Sequence, residues 1–177
     1  MALALQLRQV GPGLVTAIGL TWMTARLSGT RSWMTAVVMH GTLMHWAAGA
    51  FPKLLSYRQS RYFHVAAWEA PLYIRLGTYT YMHLLRVVGW ESWRRRTVGF
   101  TGRPALGRLE QATREAEISH LILGGFGLTL ATLAIRRRIW QVAFWHVLLV
   151  IGLHLYPVLL QRTLRARLQK YLPSPEI

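Results

Sequence analysis

The chain has 177 residues, of which 53% are hydrophobic and only 15% are charged. A globular domain usually carries about 25% charged residues, so this chain is poor in charge. Its high hydrophobic content excludes a disordered chain and directs attention to long apolar segments. Lys and Arg number 21 against 6 Asp and Glu, and the net charge of +15 suggests nucleic acid or an anionic membrane surface as partner. Because Cys is absent, disulfides, thiolate metal ligands and Cys nucleophiles are excluded.

Four apolar segments predict membrane-spanning helices, because each approaches the roughly 20 residues that cross a hydrocarbon core. The first segment is short and holds Gly and Pro. Because Arg26 follows it without a clear cleavage site, we interpret it as a span and not as a signal peptide. The predicted fold is an all-α membrane protein with about four transmembrane helices, forming a single integral membrane domain over residues 1–177. The predicted spans are residues 10–25, 33–51, 118–135 and 139–160.

The segment between the second and third predicted spans, residues 53–117, is neither a plain loop nor a clean span. It is rich in aromatic and aliphatic residues, but it is interrupted by Glu69, Arg75 and Arg86. A bilayer core accepts such charges only when they have partners. We therefore expect amphipathic or re-entrant helices at the cytoplasmic interface, where aromatic and Arg side chains keep their polar ends among the headgroups.

The basic residues predict the orientation, since Lys and Arg collect on the cytoplasmic side of membrane helices. With both termini in the cytoplasm, the basic middle segment and the basic C-terminal region lie inside, although the run Arg136–Arg138 then lies outside. This arrangement predicts an integral protein of the cytoplasmic (inner) membrane, with the lipid bilayer as a partner. We expect no nucleic acid partner, because the basic residues border apolar spans and form no soluble patch.

Glu117 and His120 are three residues apart, so they share one face of a helix at the entrance of the third span. A carboxylate beside an imidazole orients the ring and raises its basicity, as a general base requires. Arg114, one turn earlier, is placed to hold the Glu117 carboxylate or an anionic substrate. The alternative is a membrane-entry helix whose polar residues only face lipid headgroups.

Charged residues at two other places are candidates for binding. Glu69 has aromatic neighbours, and its spacing favours an ion pair with Arg61 or Arg75. Beyond Pro157, which breaks or kinks the fourth span, we expect polar residues to emerge at the cytoplasmic surface. Arg suits bidentate phosphate contacts, but positive-inside ordering alone would also leave such a cluster there. These polar residues are Gln161, Arg162, Arg165 and Arg167.

Besides His120, four histidines lie inside predicted spans, where imidazoles can bind haem or chlorophyll, relay protons or hydrogen-bond across helices. His40 and His45 are five residues apart and point to different faces, whereas His146 and His154 are eight apart and share roughly one face. No pair forms a diagnostic motif, and the ExxH step at 117–120 lacks the second such step of a di-iron bundle. We therefore predict no metal site and keep a haem-binding redox protein as an alternative.

Six motifs follow one another in a fixed order: YF (62–63), WE (68–69), Tyr73, LG (76–77), REAEISH (114–120), and LYPVLLQR with RARL (155–162, 165–168). Together they cover roughly residues 55–170. In this order they resemble the glycosyl-4,4'-diaponeurosporenoate acyltransferase family, membrane enzymes that acylate a glycosylated carotenoid. The resemblance implies transfer of a fatty acyl group from an acyl donor to a sugar hydroxyl of a carotenoid glycoside or similar lipid-like acceptor.

The resemblance also implies roles for residues of this chain. His120 would be the general base, oriented by Glu117, and Glu69 would be a second acid at the site. The phosphate or pantetheine part of the acyl donor would be bound by Arg114, Gln161 and Arg162.

Departures from the family pattern keep a second function open. His154 stands where the family favours Asn, Thr163 and Leu164 stand where it favours Tyr and Asn, and YMH (81–83) replaces a Lys-containing WK element. A relative that kept the fold and lost the activity could be a noncatalytic accessory subunit of a large membrane complex, such as a pigment-binding photosynthetic assembly. No cofactor is expected, but a bound carotenoid, chlorophyll or lipid would suit the 8 Trp residues.

Overall fold

The computed structural model describes residues 2–54, 61–89 and 105–172. Within these ranges every regular element is helical, so the predicted all-α fold class is confirmed. Residues 55–60 and 90–104 of the predicted interfacial segment lie outside the described residues. The elements are α1 (Ala2–Ser28), α2 (Trp33–Leu54), a 3-10 turn (Arg61–Phe63), α3 (Glu69–Arg75), α4 (Thr78–Val87), α5 (Ala105–Arg136), α6 (Trp140–Val150), a π-helical turn (Ile151–Leu155) and α7 (Tyr156–Leu168).

The chain divides into two compact units. Unit 1 comprises Met1–Ser56 and Ser119–Leu155, and unit 2 comprises Tyr57–Ile118 and Tyr156–Ile177. Unit 1 therefore contains α1, α2, the C-terminal part of α5, α6 and the π-helical turn. Unit 2 contains α3, α4, the N-terminal part of α5 and α7.

In the part of the chain that the structure describes, two helical segments are long and apolar enough to cross a membrane, Leu106–Arg136 and Trp140–Leu168. They contain the third predicted span and all of the fourth except its first residue, 139. The first two predicted spans are also helical, as α1 and α2, but Gly, Thr and His dilute their apolar residues. Neither of these helices meets the same standard of length and hydropathy, so the predicted count of four membrane helices is not confirmed.

Two boundaries differ from the prediction. Helix α5 begins at Ala105, well before residue 118, because polar residues of this extension such as Thr113 and Glu117 are buried in unit 2. Pro157 was expected to break or kink the fourth span; the helical segment Trp140–Leu168 runs through it without a break, and α7 begins one residue before it, at Tyr156. Proline has no N–H to donate to the carbonyl four residues earlier, and the wider turn at Ile151–Leu155 directly precedes this position.

In unit 1, α1 and α2 form a closely packed helical hairpin. Gly13 of α1 leaves room for the ring of Trp46, since a Cβ at this glycine would lie 3.0 Å from Trp46 Cδ1. The Trp46 indole N–H donates to the carbonyl of Val10 at 2.9 Å. Ala47, Ala50 and other buried apolar residues complete the core of this unit.

In unit 2, α3 and α4 pack on α7. Gly77 connects the two short helices with a φ of +90°, a left-handed conformation that glycine adopts without steric cost. At the start of α7, the Tyr156 hydroxyl donates to the carbonyl of Leu76 at 3.1 Å. The Tyr156 ring stacks on Tyr81 with 5.3 Å between the ring centroids. These contacts fix the α3–α4 segment against the helix that carries Arg162.

Candidate functional site

In unit 2, one guanidinium joins two carboxylates that are far apart in the sequence. Arg162 donates from Nε and Nη2 to Glu69 Oε2, at 3.0 and 2.8 Å, and from Nη1 to Glu117 Oε1, at 2.9 Å. Three residues that the resemblance placed at the site are thus brought together, although the role of each stays a prediction. Arg162 takes the place that sequence proximity gave to Arg61 or Arg75, because the folding of unit 2 packs α3 on α7.

Glu117 has a second partner, Arg165, which the sequence analysis placed at the cytoplasmic surface. Both side chains are fully buried, and Arg165 Nη2 lies 2.5 Å from Glu117 Oε2. Other donors of Arg165 reach Thr113 Oγ1 and the carbonyl of Phe63, each at 3.2 Å. The expectation of surface exposure is therefore wrong for Arg165. Three residues along a helix return to nearly the same face, so Arg165 follows Arg162 inward.

Glu69 is held in its ionised form by donors from its own segment and from α7. The backbone N–H of Ala66 donates to Oε1 at 2.9 Å, and the Tyr73 hydroxyl donates to Oε2 at 2.5 Å. Burial alone raises the pKa of Glu69, but the hydrogen bonds from Tyr73, Ala66 and Arg162 outweigh it, and the pKa lies below its usual value. The carboxylate is therefore charged at neutral pH.

The charges of this cluster are balanced, because two carboxylates meet two guanidiniums. The side chains of Glu117 and Arg165 are 0% exposed, whereas those of Arg162 and Glu69 keep 14% and 11%. An anionic ligand can therefore approach Arg162 but not Arg165. Since both carboxylates already accept hydrogen bonds or ion pairs, the arrangement suits charge recognition better than proton abstraction.

The two remaining predicted binding residues also lie in unit 2. Arg114 forms an ion pair with Glu110, one turn earlier on α5, and its guanidinium carbon lies 5.4 Å from the centroid of the Phe63 ring. Of the two expectations for Arg114, the Glu117 carboxylate or an anionic substrate, the first is not met, because Arg114 pairs with the Glu110 carboxylate. Gln161 is half-buried on α7, directly before Arg162.

In unit 1, four imidazoles form a hydrogen-bonded chain, which we call the histidine chain. His40 Nε2 lies 3.1 Å from His146 Nδ1, and His40 Nδ1 lies 2.9 Å from His154 Nε2. His154 Nδ1 in turn lies 3.4 Å from Nδ1 of His120, the predicted base. The rings of His40, His146 and His154 are buried. His45 is exposed, in agreement with the expectation that it lies on a different face of α2 from His40.

Glycines of α5 and the π-helical turn make the histidine chain possible. A Cβ on Gly127 would lie 2.7 Å from His40 Cε1, and a Cβ on Gly124 would lie 3.3 Å from His154 Cβ. Eight residues of a regular helix offset two side chains by about 80°. The wider turn at Ile151–Leu155 reduces this offset, so His154 faces the same ring as His146.

The two inner rings of the histidine chain, His40 and His154, each use both nitrogens. A metal centre needs each imidazole to point one nitrogen at a common ion, so this pattern belongs to a hydrogen-bonded chain. Among the residues that the structure describes, no group of three or more His, Cys, Asp or Glu is arranged to hold a metal ion.

The sequence analysis missed several residues of both clusters. Tyr73 lies inside a motif that carries the resemblance but received no role, and Arg165 was grouped with the arginines expected at the cytoplasmic surface and not with the partners of Glu117. The link from His40 to the C-terminal histidines was missed because more than a hundred residues separate them. The eight-residue spacing of His146 and His154 was the available signal, since it placed both rings on roughly one face.

The regular elements of the described residues are all helical, and two of the helices are apolar enough to indicate a membrane-associated class of protein. Within that class, the family model for glycosyl-4,4'-diaponeurosporenoate acyltransferase matches residues 59–173, more than half of the chain. The chain belongs to this family, which confirms the resemblance read from the motifs. The match contains every residue of the two clusters except His40. No curated protein and no solved structure matches the chain significantly.

Proposed function

We propose that the protein is a membrane acyltransferase that transfers a fatty acyl group to a sugar hydroxyl of a carotenoid glycoside or a similar lipid. Family membership supports the reaction type. The observation that supports the proposal most directly is that Arg162 forms ion pairs with both Glu69 and Glu117, although the three residues come from separate parts of the matched segment. Two carboxylates that fix one partly exposed guanidinium make a pre-oriented group for an anion, such as the phosphate of an acyl donor.

His120 is the proposed general base of the reaction. It takes the proton of the acceptor hydroxyl while the hydroxyl oxygen bonds to the acyl carbonyl carbon. The bond from that carbon to the leaving group then breaks, and the proton returns to the leaving group, a thiol when the donor is a thioester. The base must be neutral and correctly oriented before the acceptor binds.

The charged residues of unit 2 are proposed to bind the donor. Arg162 meets the phosphate or pantetheine part, with Gln161 beside it on α7 and Arg114 as a further donor-binding residue. Glu69 and Glu117 are the acids of the site, and we assign them to fixing Arg162. Both oxygens of Glu117 already face guanidiniums, which supports this role.

We place this chemistry in an integral protein of the cytoplasmic membrane with both termini in the cytoplasm. In this proposal α1 and α2 are the first two of four spans, residues 53–117 lie at the cytoplasmic interface, and the whole chain acts as one membrane domain. The acceptor lipid is then held in the bilayer, and the donor arrives from the cytoplasm.

The proposal is tested with purified protein in lipid, a long-chain acyl coenzyme A and a carotenoid glucoside. We expect an acylated glucoside by mass spectrometry. We also expect His120→Ala to lower its rate of formation by about 10²–10⁴-fold, the usual contribution of a general base. The matched control is His45→Ala, since His45 is exposed on α2 and has no proposed role.

Equal rates for His120→Ala and His45→Ala would remove His120 as the base. If the wild-type protein forms no acylated lipid but co-purifies with pigments and larger subunits in fixed proportion, the noncatalytic accessory subunit replaces the enzyme as the function.

A further inference from the structure

The contacts of His120 raise the question of what orients the proposed base. The family resemblance implied that Glu117 orients His120, but Arg162 and Arg165 occupy both carboxylate oxygens of Glu117. Within unit 1, the His120 ring contacts His154, behind which lie His40 and His146, and it also hydrogen-bonds the backbone of Leu153. A neutral imidazole can both donate and accept, so it can take the place of the carboxylate in a base–orienter pair.

The histidine chain has only two consistent arrangements of its protons. Each neutral ring carries one N–H, and each inner ring contacts neighbours through both nitrogens. Choosing the donor of one bond therefore fixes the donor of every other bond. In the first arrangement His120 carries its proton on Nδ1, and the other three rings carry theirs on Nε2. In the second arrangement His120 is protonated on Nε2, and the others on Nδ1.

Only the first arrangement leaves His120 Nε2 unprotonated. The Nδ1–H of His120 then donates to His154, His154 donates from Nε2 to His40, and His40 donates from Nε2 to His146. A base needs a free lone pair directed at the substrate and a second nitrogen whose proton is held by a partner. The first arrangement supplies both.

We propose that His154, His40 and His146 are positioning residues that hold His120 as its Nδ1–H tautomer and stabilise the imidazolium formed during acyl transfer. This inference rests on the proposed function. As the acceptor O–H bond breaks, its proton binds Nε2 of His120, and the positive charge is shared through the Nδ1–H bond to His154. When the acyl–sulfur bond of a thioester donor breaks, the Nε2 proton passes to the thiolate, so the products are one ester and one thiol.

The surroundings of the rings support a pre-oriented chain. His40 and His154 are 3% and 1% exposed, so water does not compete for their nitrogens. The close approach of α5 at Gly124 and Gly127 leaves little space for either ring to rotate. Buried rings whose rotamers are locked by packing are what a positioning role requires.

The kinetic test replaces the middle ring of the chain. His40→Leu removes the acceptor for His154 while roughly keeping the volume, and His40→Gln keeps an acceptor oxygen and a donor N–H. We expect His40→Leu to lower kcat roughly 10–100-fold at unchanged KM, a part of the general-base contribution. The Gln variant should recover most of the loss, and the control His45→Leu should keep the wild-type kcat.

Thermal unfolding separates this effect from misfolding, because only variants that unfold with the same cooperativity as the wild type are compared. A merely structural role predicts that Leu and Gln at position 40 give the same kcat in folded protein. That result, or a His40→Leu enzyme as fast as His45→Leu, would overturn the proposal.

A second measurement does not depend on activity. Nitrogen NMR of histidine-labelled protein in lipid, assigned with single variants of the 7 histidines, reports which ring nitrogen carries each proton. The proposal expects Nδ1–H at His120 and Nε2–H at the other three rings, and the reverse pattern overturns it. If the wild-type protein forms no acylated lipid, the proposed function fails, and the NMR pattern still decides whether the chain holds His120 as described.

Discussion

The two clusters of the protein solve the problem of buried polar groups in different ways. In unit 2, ion pairs join the two carboxylates to two guanidiniums, in the set Glu69, Glu117, Arg162 and Arg165. The histidine chain of unit 1 consists of rings that are neutral in their ordinary deprotonated form and that share protons between nitrogens. Burying a charge costs far more than burying a neutral polar group. Removing one member should therefore lower the free energy of unfolding more in the charged cluster than in the histidine chain.

The difference fits the proposed division of roles. A balanced set of fixed charges is rigid, and its partly exposed guanidinium, Arg162, is the group to which our proposal assigns an anionic ligand. A chain of imidazoles can shift protons with little rearrangement, so it suits proton transfer. Unfolding measurements test the description of the charged residues of unit 2. Nitrogen NMR of the imidazole rings tests the description of the histidine chain.

The largest expected effect comes from breaking the buried ion pair of unit 2. Arg165→Ala leaves the Glu117 carboxylate with one guanidinium fewer at a site from which solvent is excluded. Loss of one partner of a buried pair typically costs about 3–5 kcal/mol. We expect a loss of this size in thermal or denaturant unfolding of the purified protein in detergent.

The matched control is Arg167→Ala, two residues later on α7, where the side chain is exposed. It should change stability by less than about 1 kcal/mol, as exposed ion pairs and hydrogen bonds usually do. A double variant, Arg165→Met with Glu117→Gln, should recover part of the loss because no unpaired charge remains. Equal losses for Arg165→Ala and Arg167→Ala would contradict the burial of Arg165.

Much of the fold was predictable, because apolar runs and helix periodicity are local properties. The third and fourth spans appear as helices near their predicted positions, and the motifs identified the family. The partners of the charged residues were not predictable in the same way. Glu69 and Arg162 are 93 residues apart, and Arg165 looked like one of several arginines at a helix end. Which of these arginines is buried is determined by the packing of α3 on α7 and by the side-chain contacts of α7 with Thr113 and Glu117 of α5.

A smaller effect tests the packing of the histidine chain. Gly127→Ala places a Cβ 2.5 Å from Val150 Cγ2 and 2.7 Å from His40 Cε1, so the neighbours must move. Overpacking of this kind typically costs about 1–3 kcal/mol. Gly125→Ala is the control, since nothing lies within 4 Å of its added Cβ, and alanine stabilises a helix by roughly 0.5–1 kcal/mol over glycine. Opposite signs in thermal unfolding are the expected result, and equal stability of the two variants would contradict the close approach.

The smallest expected effect concerns the Glu69 carboxylate. Tyr73→Phe removes a hydrogen bond to a charged acceptor, which is worth about 1.5–3 kcal/mol, and the partial exposure of the group places the expected loss at the lower end. The same change should raise the pKa of Glu69 toward its usual value, because a donor to the ionised form is lost.

The lowered pKa of Glu69 determines how the stability loss in Tyr73→Phe changes with pH. A carboxyl group with a lowered pKa contributes stability above its ordinary pKa of about 4.3 and loses that contribution as the pH falls through the folded-state value. The difference between Tyr73→Phe and the wild type should therefore be full at pH 7 and shrink below about pH 4. Tyr171→Phe, at an exposed position, should show no such dependence. A Tyr73→Phe difference that stays constant down to pH 3 would rule out the link to Glu69.

The most direct test of the central claim is the mass of the acceptor lipid. Purified protein is incubated in lipid with a carotenoid glucoside and a long-chain acyl coenzyme A, and the glucoside is analysed before and after. The account predicts a new species heavier by one acyl group in place of one hydrogen, with one free thiol of coenzyme A released per ester formed. An unchanged glucoside, with the protein folded and both substrates present, would contradict it.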